Sequence, residues 1–334
     1  PLTLIVLLLW KYVLKFENAD EIPHYLIVFT ALFVIDVFRG AFMSDDRING
    51  LNELKKYWNI FLCGLLYIAP LEQKKRKWLV AVFFIAAAAA GLSGIWQFFV
   101  ASQRGHGYAH PIHYATILSM ASASALAMLV IKNGIFMSIK SRVFLGAIVI
   151  ATLGGIVSSE TRGVWVAFII ACLFVFSIYS LKRGLVVAAV FAAVISLTFA
   201  FSAPLKERAG TIITALKTKE DPTRSASERL ELWRGSWRIF LEHPAQGTGI
   251  GDFQSDINRM IGEGKIKDLM ATSHAHNIYI HWLSTQGITG LVILIALLAS
   301  LMAWGIGAIK RRRSVGGYII VLTTALIVIG GMTE

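Results

Sequence analysis

Residues 74–100 read KKRKWLVAVFFIAAAAAGLSGIWQFFV: four basic side chains, then a run from Trp78 to Val100 with no charge at all. A helix needs about 17–25 residues to cross a 30 Å hydrocarbon core. A Lys/Arg cluster beside such a run marks its cytoplasmic end. The stretch therefore reads as a membrane span with its orientation written next to it. Outward from it the pattern repeats: apolar segments lie at roughly 2–14, 25–43, 57–71, 78–100, 114–131, 143–158, 164–180, 185–203, 287–309 and 317–332. Composition agrees, since 16% of the 334 residues are charged and 56% are hydrophobic, against about 25% charged in a soluble domain. A soluble enzyme, a secreted disulfide scaffold and a disordered tail are excluded. Cys63 and Cys172 both lie inside apolar runs, where a reduced, packed thiol is expected.

The fold class that follows is all-α, a polytopic transmembrane helical bundle of about ten spans. Short loops set its orientation. Lys74 to Lys77, then Lys132, Lys140 and Arg142, then Lys182-Arg183, then Lys310 to Arg313 occupy alternate loops, while 101–113 and 158–163 hold only Arg104 and Arg162. The basic loops face the cytoplasm and the segment 204–277 faces outward; loop 44–56, with Arg47, Lys55 and Lys56, fits this less well. The net charge of +12 is thus an orientation signal, not a nucleic-acid footprint. The expected organisation is a single integrated membrane domain: 1–203 as spans one to eight, 204–277 as one large periplasmic loop with amphipathic helices, and 278–334 as the last two spans. A chain that opens at Pro1 and stops beside an apolar run reads as a piece of a longer protein.

The outward segment carries 11 basic and 10 acidic residues, a balance that suits a region folded over the membrane surface. Ser225-Ala226-Ser227-Glu228 fits a capping box. Leu230, Trp233, Trp237 and Phe240 follow at helical spacing, and Pro244 ends the run. The aromatic stripe is expected to pack on the spans or the headgroup zone. Gly247-Thr248-Gly249-Ile250-Gly251 lacks a preceding strand, so it reads as a tight turn and not as a phosphate loop.

Motifs for zinc hydrolysis, nucleotide binding or a nucleophilic serine are missing. Asp36 and Arg39 are the main charges within a span, three apart on one helix face. The remaining unusual polar groups cluster at the outer rim. Ser158-Ser159-Glu160-Thr161-Arg162-Gly163 puts an arginine against the charge bias, where either Glu160 or a lipid phosphate could satisfy it; guanidinium suits a diphosphate. Arg229 opens the outward helix, and spacing does not separate it from Arg224, Arg234 and Arg238. Ser273-His274-Ala275-His276-Asn277 leads into a span, with Ser273 as the expected cap and His276 in the first helical turn. There the positive end of the helix dipole favours a neutral imidazole and a nearby anion. No third ligand lies close enough in sequence to make His274 and His276 a metal site.

At these residues the chain resembles the O-antigen ligase and polymerase superfamily of bacterial cytoplasmic membranes. Thr161-Arg162-Gly163-Val164-Trp165 is similar to its T-R-G-x-W turn. Arg229-Leu230-Glu231-Leu232-Trp233, continuing through His243-Pro244 to Gly247-x-Gly249-x-Gly251-Asp252-Phe253, resembles its R-x-x-x-W…H-P…G-x-G-x-x-F stretch. His276-Asn277, nine residues, then Gly287 matches H-N-x9-G. The resemblance implies twelve spans in the full-length protein, no cofactor and no metal. It implies an inverting glycosyltransferase whose donor is an undecaprenyl-diphosphate-linked glycan, acting at the periplasmic face of the inner membrane. Arg162 and Arg229 match the arginines expected to hold the diphosphate, and His276 the histidine expected to engage the acceptor hydroxyl. Glu160, Trp233, His274 and Asn277 are expected to border the substrates. Arg104 and His113 are expected to line an entrance, unless His110-Pro111-Ile112-His113 is simply a polar cap on a span.

Within that superfamily one large outward loop late in the chain favours a ligase with a lipid A–core acceptor. A polymerase or a protein O-oligosaccharyltransferase is the alternative. A lipid-linked glycan flippase would instead show mid-membrane charges and an internal pseudo-repeat, and the sequence has neither. Membrane lipids are the remaining expected partner, with no nucleic acid.

Overall fold

A computed structural model describes residues 23–57, 73–107, 109–131, 138–201, 225–269, 273–312 and 314–332. The expected spans at 2–14 and, apart from Tyr57, 57–71 lie outside these. Every regular element among the described residues is helical: α1 (His24–Met43), α2 (Arg47–Leu54) with a 3-10 turn at Lys55–Tyr57, α3 (Gln73–Phe99), α4 (Pro111–Val130), α5 (Ile139–Ser158), α6 (Arg162–Phe201), α7 (Ser225–Glu242), α8 (Phe253–Gly262), α9 (Ile278–Arg312) and α10 (Val315–Gly330). Five of them, at 24–43, 78–99, 111–130, 139–158 and 278–311, are long and apolar enough to cross a membrane; 162–178 and 315–330 are shorter apolar helices.

Two of these runs are not straight. In α6, Ser180 leaves helical geometry at φ −169°, ψ 116°. The rings of Phe168 and Phe191 lie 4.9 Å apart, whereas a straight helix would separate them by about 34 Å. The run folds back on itself, as the two expected spans at 164–180 and 185–203 require. In α9 the break is at Gly287, φ 68°, ψ −169°. The sequence placed the start of a span there; a further half-helix, 278–286, precedes it.

The chain forms two compact units. The first holds α3, α4, α5, most of α6, the end of α9 and α10. Its centre is α4, whose Ala121, Ser122, Ala123, Ser124 and Ala125 are all fully buried. Small residues let the backbones close in: a Cβ on Gly91 would sit 2.4 Å from the Ala151 carbonyl oxygen of α5. Outside, Val82, Ile85, Leu92, Trp96 and Phe99 of α3 are exposed, an apolar face that suits lipid and not water. The loop before α4 and the turn between α5 and α6 meet at one end, where Gly105 N–H donates to Ser158 O at 2.9 Å. Exposed Lys75, Lys140, Arg142, Lys182 and Arg311 belong to the opposite helix ends.

The second unit holds α1, α2, α7, α8 and the first part of α9. Leu232, Ile239, Phe253, Ile257, Met260, Ile266 and Ala275 form its apolar core, with Trp233 and Ile280 packed against it. The described part of the hydrophilic segment is therefore folded around its own core. Its helix α7 begins at Ser225 and ends at Glu242, just before Pro244, as the sequence predicts.

Candidate active-site elements

In the first unit, α5 turns into α6 through Ser159, Glu160 and Thr161. Glu160 takes a left-handed conformation at φ 52°, uncommon for a residue with a side chain. Several hydrogen bonds over-determine the turn. Arg104 donates from Nε to Ser159 O and from Nη2 to Thr161 Oγ1 at 3.0 Å. Ser159 Oγ donates to Ile156 O at 2.6 Å, and the Trp165 indole N–H donates to the same carbonyl at 2.9 Å. Ser158 through Thr161 are buried, and the next residue, Arg162, is exposed as the first residue of α6. The T-R-G-x-W pattern thus has a local reason: the tryptophan docks α6 on the turn while the arginine is pushed outward. No ion pair of Arg162 occurs among the described residues. Arg104, expected at an entrance, is a clamp on this turn. His113 is exposed in the first turn of α4, 5.8 Å ring to ring from His110.

In the second unit, the turn His274–Asn277 precedes α9. His276 is left-handed at φ 52° and half-buried. Its ring lies 4.0 Å from that of His274, whose Nδ1 is 3.0 Å from Ser273 Oγ. Ala275 between them is fully buried, and its carbonyl accepts the Trp233 indole N–H at 2.9 Å. The expected cap at Ser273 is corrected: Asn277 Oδ1 accepts from Tyr279 N and Ile280 N at 3.0 and 3.1 Å. Asparagine is as good an N-cap as serine, and Asn277 stands next to the first helical residue, so the signal was present in the sequence. Asn277 Nδ2 also donates to Met332 O at 3.3 Å, and Ile278 N–H to Gly331 O at 2.8 Å. Asn277 thus holds the turn in place.

Arg229 lies four residues before Trp233 on α7, on the face that meets this turn, and is half-buried. Arg234 instead pairs with Glu231 at 2.6 Å and is 67% exposed, and Arg238 is exposed. The structure therefore separates Arg229 from these neighbours, which sequence spacing did not; Arg224 lies outside the described residues. Within this unit Trp233, His274, His276 and Asn277 come together, with Arg229 one helical turn from Trp233 on α7, while Glu160, Arg162, Arg104 and His113 belong to the first unit.

The glycine turn is a backbone joint. A Cβ on Gly247 would lie 2.3 Å from the Thr285 carbonyl carbon, and one on Gly251 would lie 2.4 Å from Gly50 N. Gly249, at φ 120°, packs against Ser44. Next to it, the Asp252 carboxylate accepts from the backbone N–H groups of Asp45 and Asp46 at 2.8 and 3.2 Å. Burial pushes the Asp252 carboxyl above its ordinary pKa, against the opposing pull of those two amides. The tight-turn reading holds, with a reason: only glycine allows main chain to meet main chain this closely.

Helices long and apolar enough to cross a membrane, exposed apolar faces and polar turns that carry arginine and histidine describe a multi-pass membrane protein. Residues 146–295 match the family model described as O-antigen ligase. This match, over 150 of the 334 residues, supports the O-antigen ligase superfamily, whose members are membrane glycosyltransferases and ligases. No curated protein matches the chain. The matched segment contains Arg162, Arg229 and His276, and excludes Arg39, Arg104 and His113.

Proposed function

We propose that the chain is an O-antigen ligase, a metal-independent, inverting glycosyltransferase of the inner membrane. It moves a glycan from undecaprenyl diphosphate to the lipid A–core oligosaccharide at the periplasmic face. The observation that carries this reading is the His276 turn: inside the family segment, pinned by an indole and an asparagine cap, with Arg229 on the helix face that meets it. The acceptor hydroxyl oxygen attacks the anomeric carbon and its proton passes to the His276 imidazole. The bond from that carbon to the phosphate oxygen breaks, and its electron pair leaves with the diphosphate. Arg162 and Arg229 bind that diphosphate and stabilise the charge that develops on it, a role that aimed guanidinium groups perform best where water is scarce. General-base help from a positioned imidazole typically contributes about 10²–10⁴-fold. The alternation of basic loops supports a periplasmic site.

Complementation of a ligase-deficient Gram-negative strain with the full-length protein tests this, read as lipopolysaccharide laddering. Wild type is expected to restore capped lipopolysaccharide. Arg162→Ala, Arg229→Ala and His276→Ala should each fail at normal membrane levels. Full capping by these three variants sinks the site assignment. A change of polymer length in a polymerase-null strain, without capping in the ligase-deficient one, moves the reading to a polymerase.

A further inference from the structure

A helix cut at mid-length strands backbone groups that lipid cannot satisfy. At the Gly287 break of α9 the glycine turn takes up most of them. Thr248 N–H and Gly249 N–H donate to Ser284 O and Thr285 O at 3.3 and 2.9 Å, while Ile288 N–H and Thr289 N–H donate to Pro244 O and Ala245 O at 2.9 and 3.3 Å. The two carbonyls at the centre of the joint, Gln286 O and Gln246 O, each receive an N–H of Arg39 at 2.9 Å, from Nη2 and Nη1 respectively. Thr289 Oγ1 adds a longer bond to Gln286 O at 3.3 Å and a shorter one to Ala245 O at 2.8 Å.

Arg39 is itself fixed. Asp36, 3% exposed, accepts from Nε and Nη2 at 3.1 and 2.8 Å through one carboxylate oxygen, and Gln286 Oε1 lies 3.0 Å from Nη2. Nη1 also faces Met43 Sδ at 3.2 Å. Every nitrogen of the guanidinium is engaged inside the protein, so this arginine is no phosphate ligand.

We infer that Arg39 is a positioning residue that acts on His276 through the half-helix 278–286. That rod is nine residues, about 13 Å. Asn277 pins its first turn beside His276, and Arg39 pins its last carbonyl. A lysine presents all its N–H donors from one nitrogen and cannot reproduce the three separate nitrogens, Nε, Nη1 and Nη2, that meet Asp36, Gln246 O and Gln286 O here. The inference rests on the proposed role of His276, since a displacement of about 1 Å at a catalytic group costs on the order of 10²-fold in rate.

The test uses the full-length protein in nanodiscs. In hydrogen exchange followed by mass spectrometry, Arg39→Met and Arg39→Lys should speed exchange at 278–290 and 244–250 about tenfold or more, with 232–241 unchanged. Glycan transfer from undecaprenyl-diphosphate-linked O-antigen to rough lipopolysaccharide should lose about 100-fold in kcat, with KM for the donor within about twofold. In a His276→Ala background Arg39→Met should cost nothing more, because both changes remove one function. Unchanged exchange at the joint overturns the latch. Faster exchange with unchanged kcat, or a fully additive loss on His276→Ala, overturns the positioning role. A fully active His276→Ala overturns the proposed chemistry and leaves the latch standing on its exchange data. Should Arg39→Met fail to accumulate, Thr289→Val carries the same test: it removes only hydroxyl bonds at the joint, and about threefold faster local exchange is expected. No change there counts against the latch.

Discussion

The two turns that display the candidate residues share one construction and differ in reach. In each, a tryptophan indole N–H donates at 2.9 Å to a turn carbonyl: Trp165 to Ile156 O, and Trp233 to Ala275 O. In each an arginine lies about one helical turn before the tryptophan, Arg162 and Arg229, and so shares its helix face. In each a residue with a side chain stands at φ 52°, Glu160 and His276. The tryptophan seats a helix on a turn, and the arginine stands about one helical turn away from that anchor. The contrast is distance along the chain. Trp165 closes a hairpin of adjacent helices across nine residues, with Arg104 and Ser159 as additional clamps; Trp233 reaches across 42 residues. The first turn is locally over-determined. The second depends on α7, α8, α9 and the α1 joint all being in place.

That contrast breaks most easily at Trp233. Trp233→Phe keeps the ring and removes the indole N–H, leaving a buried carbonyl at Ala275 unsatisfied at a cost of about 1–3 kcal/mol. The loss falls on the turn that holds His276, so lipopolysaccharide capping should drop about tenfold or more at normal membrane levels. Trp165→Phe removes the same kind of bond where Ser159 Oγ still holds the Ile156 carbonyl, so capping should stay within about threefold of wild type. Equal losses in the two variants would erase the distinction between a local and a long-range pin.

Most of the fold is legible in the sequence because a membrane span is long, apolar and bounded by charge. The run after Lys77, the hairpin near Lys182 and the end of α7 before Pro244 all follow from that. Arg162 and His276 stand out because each is a polar group beside an apolar run, a placement that needs a partner; Arg229 is singled out by the family resemblance alone, since spacing does not separate it from Arg224, Arg234 and Arg238. What the sequence does not carry is long-range main-chain pairing. Nothing in the spacing of Gly247, Gly249 and Gly251 says that they dock on Thr285, Ser44 and Gly50. The break at Gly287 is likewise invisible, because glycine occurs in many unbroken spans. The clamp made by Arg104 is invisible for the same reason: its acceptors, Ser159 O and Thr161 Oγ1, lie 55 and 57 residues away.

Arg104 offers a middle-sized test from the other side of the comparison. Arg104→Met removes a charged donor from two oxygens of the α5–α6 turn, costing about 2–3 kcal/mol, or roughly 5 °C in thermal unfolding of the detergent-solubilised protein. Arg104→Lys should recover part of this, since one nitrogen can still reach one acceptor. An unchanged melting temperature in Arg104→Met would mean that Ser159 Oγ and Trp165 hold the turn unaided, making the local turn even more redundant than drawn.

The smallest effect concerns the platform behind the long-range turn. Glu242, at the end of α7, accepts from Arg259 Nη2 at 2.7 Å and from Lys265 Nζ at 3.1 Å. The Arg259 hydrogen bond, ahead of the Lys265 contact, holds its carboxyl below the ordinary carboxylate range. A carboxylate with a depressed folded pKa stabilises the fold at neutral pH, and that contribution fades as pH falls through the ordinary range toward the folded value. Because these groups are partly exposed, each pair contributes little. Protection factors at 253–266, which remove the intrinsic pH dependence of amide exchange, should therefore fall slightly between pH 7 and pH 4, and Glu242→Gln should already show the lower protection at pH 7 and lose most of the pH dependence. A pH response in Glu242→Gln as large as in wild type would place the titrating group elsewhere. It would also remove the ionic strap from the set of contacts that keep α7, and with it Trp233, seated over the histidine turn.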